Sequence, residues 1–270
     1  MATSYSLGVF NDNFFKQAAC LLAIDAGLKH FQGLMLFLFT VPYVLFAAPA
    51  GWLADRFAKR HVVIVAKGVE VVVMAVGAAG LLTGSWLAIV WMVCLMGLQS
   101  CVFGPSLNGS IPELYPASYV TRANGVLKVY VTAAILLGFA GAGVIKSLPG
   151  SVLGMPAGLV GLAAVVLVVS LGGFAASFGV PYRPPAMRAD APRPFPWTGF
   201  AQTLRTIREC FRDGLLGVVI VADMFVWFMG SLMNLVINVL GKEQLACGDA
   251  ATSGLLVAEL GGLAVGGLLA

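Results

Sequence analysis

Charge is scarce in this sequence. Of 270 residues, 16 are Lys or Arg and 12 are Asp or Glu, 10% in all, against 60% hydrophobic. A soluble domain carries about 25% charged residues and needs them to cover its surface. Twelve acids and sixteen bases therefore exclude a water-covered globule of this size. Histidine is scarcer still, with only His30 and His61. The five cysteines, Cys20, Cys94, Cys101, Cys210 and Cys247, form no C-x-x-C pair and no metal-ligand spacing, and read as small apolar packing residues. Neither a nucleophile elbow nor an H-x-x-x-x-D pattern occurs, so an enzyme, a metal site or a cofactor has no support. Met1 to Phe10 lacks the positive start of a cleavable signal.

What is present is a series of long apolar runs, with a mean hydropathy of +0.95. No charge occurs from Gln32 to Ala54, from Val71 to Pro112 or from Ser147 to Tyr182. Crossing the hydrocarbon takes roughly 20 apolar residues. The Leu/Val/Ala/Gly mix lacks barrel-type alternation, and unpaired amides are excluded from lipid, so the spans are helices. The pattern predicts spans at about 5–26, 31–54, 62–82, 85–105, 120–146, 154–180 and 214–240. An eighth starts near Ala251 and is still apolar at Ala270, which leads us to expect a piece of a longer protein. The fold class is all-α and polytopic: a six-helix bundle at 1–182, a linker at 183–213 and the start of a second bundle at 214–270.

Lys and Arg in short loops orient the spans. Arg56, Lys59, Arg60, Arg122, Arg183, Arg188, Arg193, Arg205, Arg208 and Arg212 fall on one side; Lys29, Lys146 and Lys242 fall on the other. Ten against three predicts that the first side, and the N-terminus, lie in the cytoplasm. The net charge of +4 says little about nucleic acid, because topology places the bases; no nucleic-acid partner is expected. Within the linker, Pro184, Pro185, Pro192, Pro194 and Pro196 impose an extended first part. Phe200, Leu204, Ile207 and Phe211 then recur at helical spacing opposite Arg205, Arg208 and Arg212. That pattern suits an amphipathic helix on an anionic leaflet or one bound to a partner.

Gly51-Trp52-Leu53-Ala54-Asp55-Arg56-Phe57-Ala58-Lys59-Arg60 closes the second span. It resembles the G-x-L-a-D-r-x-g-r-r loop of the major facilitator superfamily, at the place where that family carries it. Gly51 permits close helix approach, Asp55 at a helix end suits amide hydrogens or a basic group, and Arg56, Lys59 and Arg60 suit headgroups. The resemblance implies that Gly51, Asp55, Arg56 and Arg60 form a conformational latch, closed when the transporter faces outward. A narrower likeness rests on Phe10-Asn11-Asp12-Asn13-Phe14-Phe15, Ala66-Lys67-Gly68-Val69-Glu70, Phe103-Gly104-Pro105-Ser106, Gly109-Ser110-Ile111-Pro112-Glu113-Leu114, Ala123-Asn124-Gly125 and Ala133-Ala134-Ile135-Leu136-Leu137-Gly138. These segments resemble bacterial lysophospholipid transporters, some of which precede acyltransferase and acyl-carrier-protein synthetase domains. The likeness implies movement of lysophospholipid from outer to inner leaflet; a facilitator of a small solute or drug is the alternative. The chain departs from the family at Leu107-Asn108, where Lys-Tyr is frequent, and at Asn234, where some members place Arg.

Charges inside spans mark candidate sites, because each costs roughly 2.5–3.5 kcal/mol at mid-bilayer on insertion scales. Asp12 and Lys16 share a helix face flanked by Asn11 and Asn13, suited to a substrate ammonium and phosphate or, alternatively, to each other. Lys67 and Glu70 form a polar pair three residues apart. Lys128, Asp223 with Asn234 and Asn238, and Glu259 complete the candidate cavity wall. Gln99 and Ser100 read as interhelical hydrogen bonders. Glycines concentrate in the fifth span (Gly138, Gly141, Gly143) and the eighth (Gly261, Gly262, Gly266, Gly267), which would let these helices meet closely or slide.

Overall fold

The structure, a computed structural model, describes residues 2–185 and 194–269. The helices are α1 (Ala2–Asp25), α2 (His30–Arg56), α3 (Lys59–Thr83), α4 (Trp86–Leu114), α5 (Ala117–Lys146), α6 (Ala157–Ser177), α7 (Gly199–Cys210), α8 (Gly214–Val239) and α9 (Asp249–Leu269). A π-helical turn, Leu240–Gln244, continues α8. Strands β1 (Ser151–Val152) and β2 (Met155–Pro156) pair antiparallel before α6. Their two-residue turn, Leu153 and Gly154, takes φ of +53° and +77°, the positive values that tight hairpins require.

Six helices, α2 to α6 and α8 with its π-turn, are each long and apolar enough to cross a membrane. At 1.5 Å per residue the 27 residues of α2 extend about 40 Å, more than the hydrocarbon thickness of about 30 Å. The protein is a multi-pass membrane protein. Helix α1 carries Asn11, Asp12, Asn13, Lys16 and Gln17, too much polarity to face lipid, and it occupies the middle of the α1–α6 bundle against α5, α6, α2 and α4. Its Phe14, Phe15, Ala18 and Ala19 form the core with Met74 of α3, Met92 and Met96 of α4, and Leu162 and Val166 of α6. By contrast α8 presents Val218, Phe225, Trp227 and Phe228 outward.

The predicted spans match these helices with shifted ends. The fourth was expected to stop near 105, yet α4 runs to Leu114 with Pro105 and Pro112 inside it. Within a membrane bundle neighbouring helices supply partners for the freed carbonyls, so proline need not end the helix. The sixth begins at Ala157 because the hairpin takes up 151–156. Of the linker prolines and arginines, Pro192, Arg188 and Arg193 lie outside the described residues. The expected amphipathic helix is α7, whose Gly199 abuts Ala48 and Pro49 of α2 while Phe195 stacks edge-on against Trp52 at 5.2 Å.

Glycine spacing is corrected by the packing. Helices α5 and α9 do meet, but only Gly143 serves that contact, against Ser253 and the Asp249 carbonyl. Gly138 and Gly141 face α1 instead, and nothing approaches Gly261, Gly262 or Gly266. The tightest crossing joins α2 to α4 at Gly97, where a Cβ would strike the Phe39 carbonyl. Gly97→Ala is therefore expected to destabilise the bundle by about 1–3 kcal/mol, since backbone cannot swing aside as a side chain can. Gly104→Ala, with nothing within 4 Å, is the control that leaves stability unchanged. Unfolding in mixed detergent micelles measures both.

Candidate functional site

A buried polar cluster joins α1, α3 and α4. Lys67 and Glu70 lie three apart on α3, which brings them to one face. They pair at 2.6 Å with side chains 1% and 2% exposed. Room for the Lys67 ammonium exists because α1 has Gly8 there; a Cβ at that position would collide with Nζ. The ammonium also lies 5.1 Å from the Phe103 ring centroid, and Phe103 stacks on Tyr5. From α4, Gln99 donates through Nε2 to Glu70 Oε2 at 3.2 Å. Ser100 Oγ lies 3.1 Å from Gln99 Oε1 and 2.8 Å from Asp12 Oδ2. Thus Asp12 and the Lys67–Glu70 pair belong to one continuous chain of contacts.

The four polar residues expected to act together on α1 diverge. Asn11 donates to the Val166 carbonyl of α6 at 3.0 Å, and Asn13 donates back to Val9 at 2.7 Å. Lys16 makes no ion pair with Asp12; its ammonium sits 4.1 Å above the Phe39 ring of α2. The self-contained Asp12–Lys16 pair is thereby replaced by two separate contacts. Three acceptor oxygens, Asn11 Oδ1, Asp12 Oδ1 and Glu70 Oε1, are buried without a hydrogen-bond partner.

One helix end is closed by two polar layers, of which the sequence pattern points to Asn234 and Asn238 as cavity-wall residues but not to Gln17 or Ser253. In the inner layer Gln17 of α1 and Asn238 of α8 exchange amide hydrogen bonds at 2.9 and 3.3 Å, and Gln17 also reaches Ser253 of α9 at 3.1 Å. Asn238 is within 3.4 Å of Asn234. Eight residues further along α1, about 12 Å, Asp25, Lys146, Asp249 and Lys242 form a ring of alternating charge. Lys146 contacts both Asp25 and Asp249, the latter at 2.9 Å; Lys242 reaches Asp25 at 2.9 Å and Asp249 at 2.8 Å. Lys29 and Glu243 add a pair at 2.5 Å. The ring ties α1 and α5 to the π-turn and α9. Lys146 and Lys242 had registered only as loop bases and Asp25 and Asp249 not at all, and nothing in their spacing shows that four distant segments converge.

At the opposite end, Arg60 donates to the Phe178 carbonyl at 3.1 Å, Lys59 pairs with Glu113, and Lys59 donates to the Gly109 carbonyl at 3.0 Å. A Cβ added at Gly51 would meet no other segment within 4 Å, Arg56 is exposed, and among the described residues Asp55 forms no ion pair. Lys128 is exposed on α5 with its ammonium 5.9 Å from the Trp227 ring of α8. Asp223 is exposed on α8 and Glu259 half-buried on α9.

Three comparisons bear on this arrangement. The family profile described as Major Facilitator Superfamily matches residues 5–270. The lysophospholipid transporters LplT of Salmonella paratyphi B and Salmonella newport are 33% identical over 114 residues. That match covers 42% of this chain and 27% of theirs. In fold, the chain resembles a D-xylose–proton symporter (TM-score 0.60, 13% identity), covering 95% of this chain and 64% of that one. It also resembles tetrameric PepTSo2 (TM-score 0.56, 16% identity), covering 87% of this chain and 52% of that one. The chain therefore matches about a quarter of the length of the curated relatives, and between half and two thirds of the two solved transporters.

The charge ring makes a direct prediction. Lys146→Met removes one partner from each aspartate, and breaking a largely buried ion pair this way costs on the order of 1–3 kcal/mol at a partly solvated site. Amide hydrogen exchange at 249–253, the first turn of α9, should accelerate roughly tenfold for each 1.4 kcal/mol lost, while exchange in the α3–α4 core should not change.

Proposed function

Since this chain belongs to the Major Facilitator Superfamily, we propose that it moves lysophospholipid from the outer to the inner leaflet of a bacterial inner membrane by alternating access. The observation that carries the substrate is the match to relatives named lysophospholipid transporters. The excess of Lys and Arg at the Arg56 end assigns that end, and the N-terminus, to the cytoplasm. On this reading the charge ring seals the outer side. Asp55, which forms no ion pair among the described residues, belongs to the latch on the same reading. Residues 1–182, 183–213 and 214–270 are the first bundle, a cytoplasmic linker and the start of the second.

Opposite charges flank the region where the bundles face each other. In this reading Lys16 and Lys128 would meet a phosphate, Asp12, Asp223 and Glu259 an ammonium, and Asn234 a neutral hydrogen-bonding group, while Asn11 and Asn13 are held by the Val166 and Val9 carbonyls. The acyl chain stays in lipid beside α5 and α9, because a headgroup alone needs polar surroundings. Delivery to the inner leaflet provides a substrate for reacylation, so acyltransferase domains are the expected partners. A second reading, transport of a small solute or drug, is favoured by Leu107-Asn108 and Asn234, where the lipid-transporting relatives' basic residues are missing.

Uptake of labelled lysophosphatidylethanolamine by vesicles holding the full-length protein tests the proposal. Lys128→Ala and Asp223→Asn should each lower uptake about tenfold, the loss of roughly 1.4 kcal/mol of headgroup interaction. Uptake untouched by both substitutions would remove them from the site. Inhibition by soluble compounds but not by lysolipids would favour the second reading.

A further inference from the structure

Helix α7 carries arginines and an apolar stripe that the transport site does not use. Gly199 is buried against α2, and Thr203 and Cys210, both half-buried, recur on the same flank. Phe200, Leu204 and Ile207 occupy the next flank, each about half exposed. Arg205, Arg208 and Arg212 follow beyond it, all exposed, and among the described residues none of them forms an ion pair. Glu209 is the one acid in the helix. Apolar side chains beside unpaired cations suit neither bulk water nor hydrocarbon, but they do suit the layer between the two.

The fold fixes the depth of this helix. Its first residue sits on Ala48 and Pro49, about 12 Å along α2 from the end of that helix at Arg56. Just past its last turn, Asp213 caps α8, its carboxylate accepting from the Leu215 and Leu216 amides at 3.0 and 3.2 Å. Helix α8 is long and apolar enough to cross a membrane, and its far end, with Asn238, lies in the amide layer at the opposite face. Both ends of α7 are therefore tied to spanning helices at the Arg56 face, which holds its 12 residues, about 18 Å, at the border of hydrocarbon and headgroups. There Phe211 opens an apolar groove of about 600 Å³ that continues along α8 past Gly217, Val218, Val221, Ala222 and Phe225.

We propose that α7 and this groove bind an anionic phospholipid of the surrounding leaflet, its phosphate on Arg208 and Arg212 and an acyl chain along α8. Arg212 follows Phe211 directly and Arg208 precedes it by one turn, so the cations stand at the mouth of the groove. A guanidinium offers a phosphate two parallel N–H donors. A zwitterionic headgroup brings its own ammonium, which unpaired arginines repel, so the charge balance favours an anionic one. Phe200, Leu204 and Ile207 sink into the same layer. A soluble protein partner would leave the groove empty, because α8 carries it into the hydrocarbon. The proposal rests on the membrane fold and not on the identity of the transported substrate.

Native mass spectrometry of the full-length protein, released from mixed micelles of phosphatidylglycerol and phosphatidylcholine, counts the lipids retained. Phosphatidylglycerol should be held in preference. Arg208→Gln combined with Arg212→Gln should weaken it roughly fivefold for each arginine, the worth of one basic side chain at an anionic surface, and leave phosphatidylcholine unchanged. Lysine at both positions keeps the charge and should restore most of the preference. Ala222→Trp fills the groove at an exposed position, so the fold should hold while retention of both lipids falls. Equal retention of the two lipids by the wild type, or phosphatidylglycerol retention untouched by the double Gln variant, overturns the headgroup site. Retention unchanged in Ala222→Trp overturns the groove. A dimer that persists without lipid and is lost in the double Gln variant would assign the surface to a second copy and overturn the lipid.

Discussion

A polar side chain inside a bilayer has no water to fall back on, and that constraint organises this molecule. Each hydroxyl, amide or charge must find its partner on another helix or remain orphaned at a cost of several kcal/mol. Helix α1 carries the densest set of such groups, and it therefore becomes the hub. Ser4 and Asn11 bind backbone carbonyls of α6, Asp12 meets α4, and Gln17 meets α8 and α9. The apolar residues between them, Phe14, Phe15, Ala18 and Ala19, then pack as a consequence of that placement. Small residues complete the geometry, because polar atoms engage across helices only if backbones come close. Gly8 admits the Lys67 ammonium, and Gly143 admits Ser253.

Much of this was legible in the residue pattern. Charge-free stretches located the spans, since hydrophobic length is a local property. The polar run at Asn11–Asn13, Lys16, Lys67 and Glu70 was legible for the same reason: a charge in an apolar run stands out wherever its partner is. What the pattern could not show was direction. Asp12 and Lys16 share a helical face, yet the nearby Phe39 ring and Ser100 hydroxyl separate them. Gln17 was overlooked because a neutral amide in a helix raises no alarm, although its contacts reach from α1 to α8 and α9. The ring of Asp25, Lys146, Lys242 and Asp249 was hidden more deeply. Its members are up to 224 positions apart (from 25 to 249), and only the folded chain juxtaposes them.

The two ends of the bundle are built on different principles. At the ring end, four charges satisfy each other in a closed circuit, backed by a neutral amide layer. At the loop end, Lys59 is engaged by Glu113 and the Gly109 carbonyl of α4, and Arg60 by the Phe178 carbonyl that follows α6. The first end thus ties α1 and α5 to α9, whereas these contacts at the second join α3 to α4 and to the residue after α6.

Helix α7 is fastened to α2 by Gly199 seated on Ala48 and Pro49, with Phe195 wedged against Trp52. Its Phe200, Leu204 and Ile207 stay about half exposed, and Phe211 just beyond it lies against Gly217 of α8. Fastened in this way, α7 moves as one body with α2, so any displacement of α2 would sweep an apolar flank through whatever medium borders it.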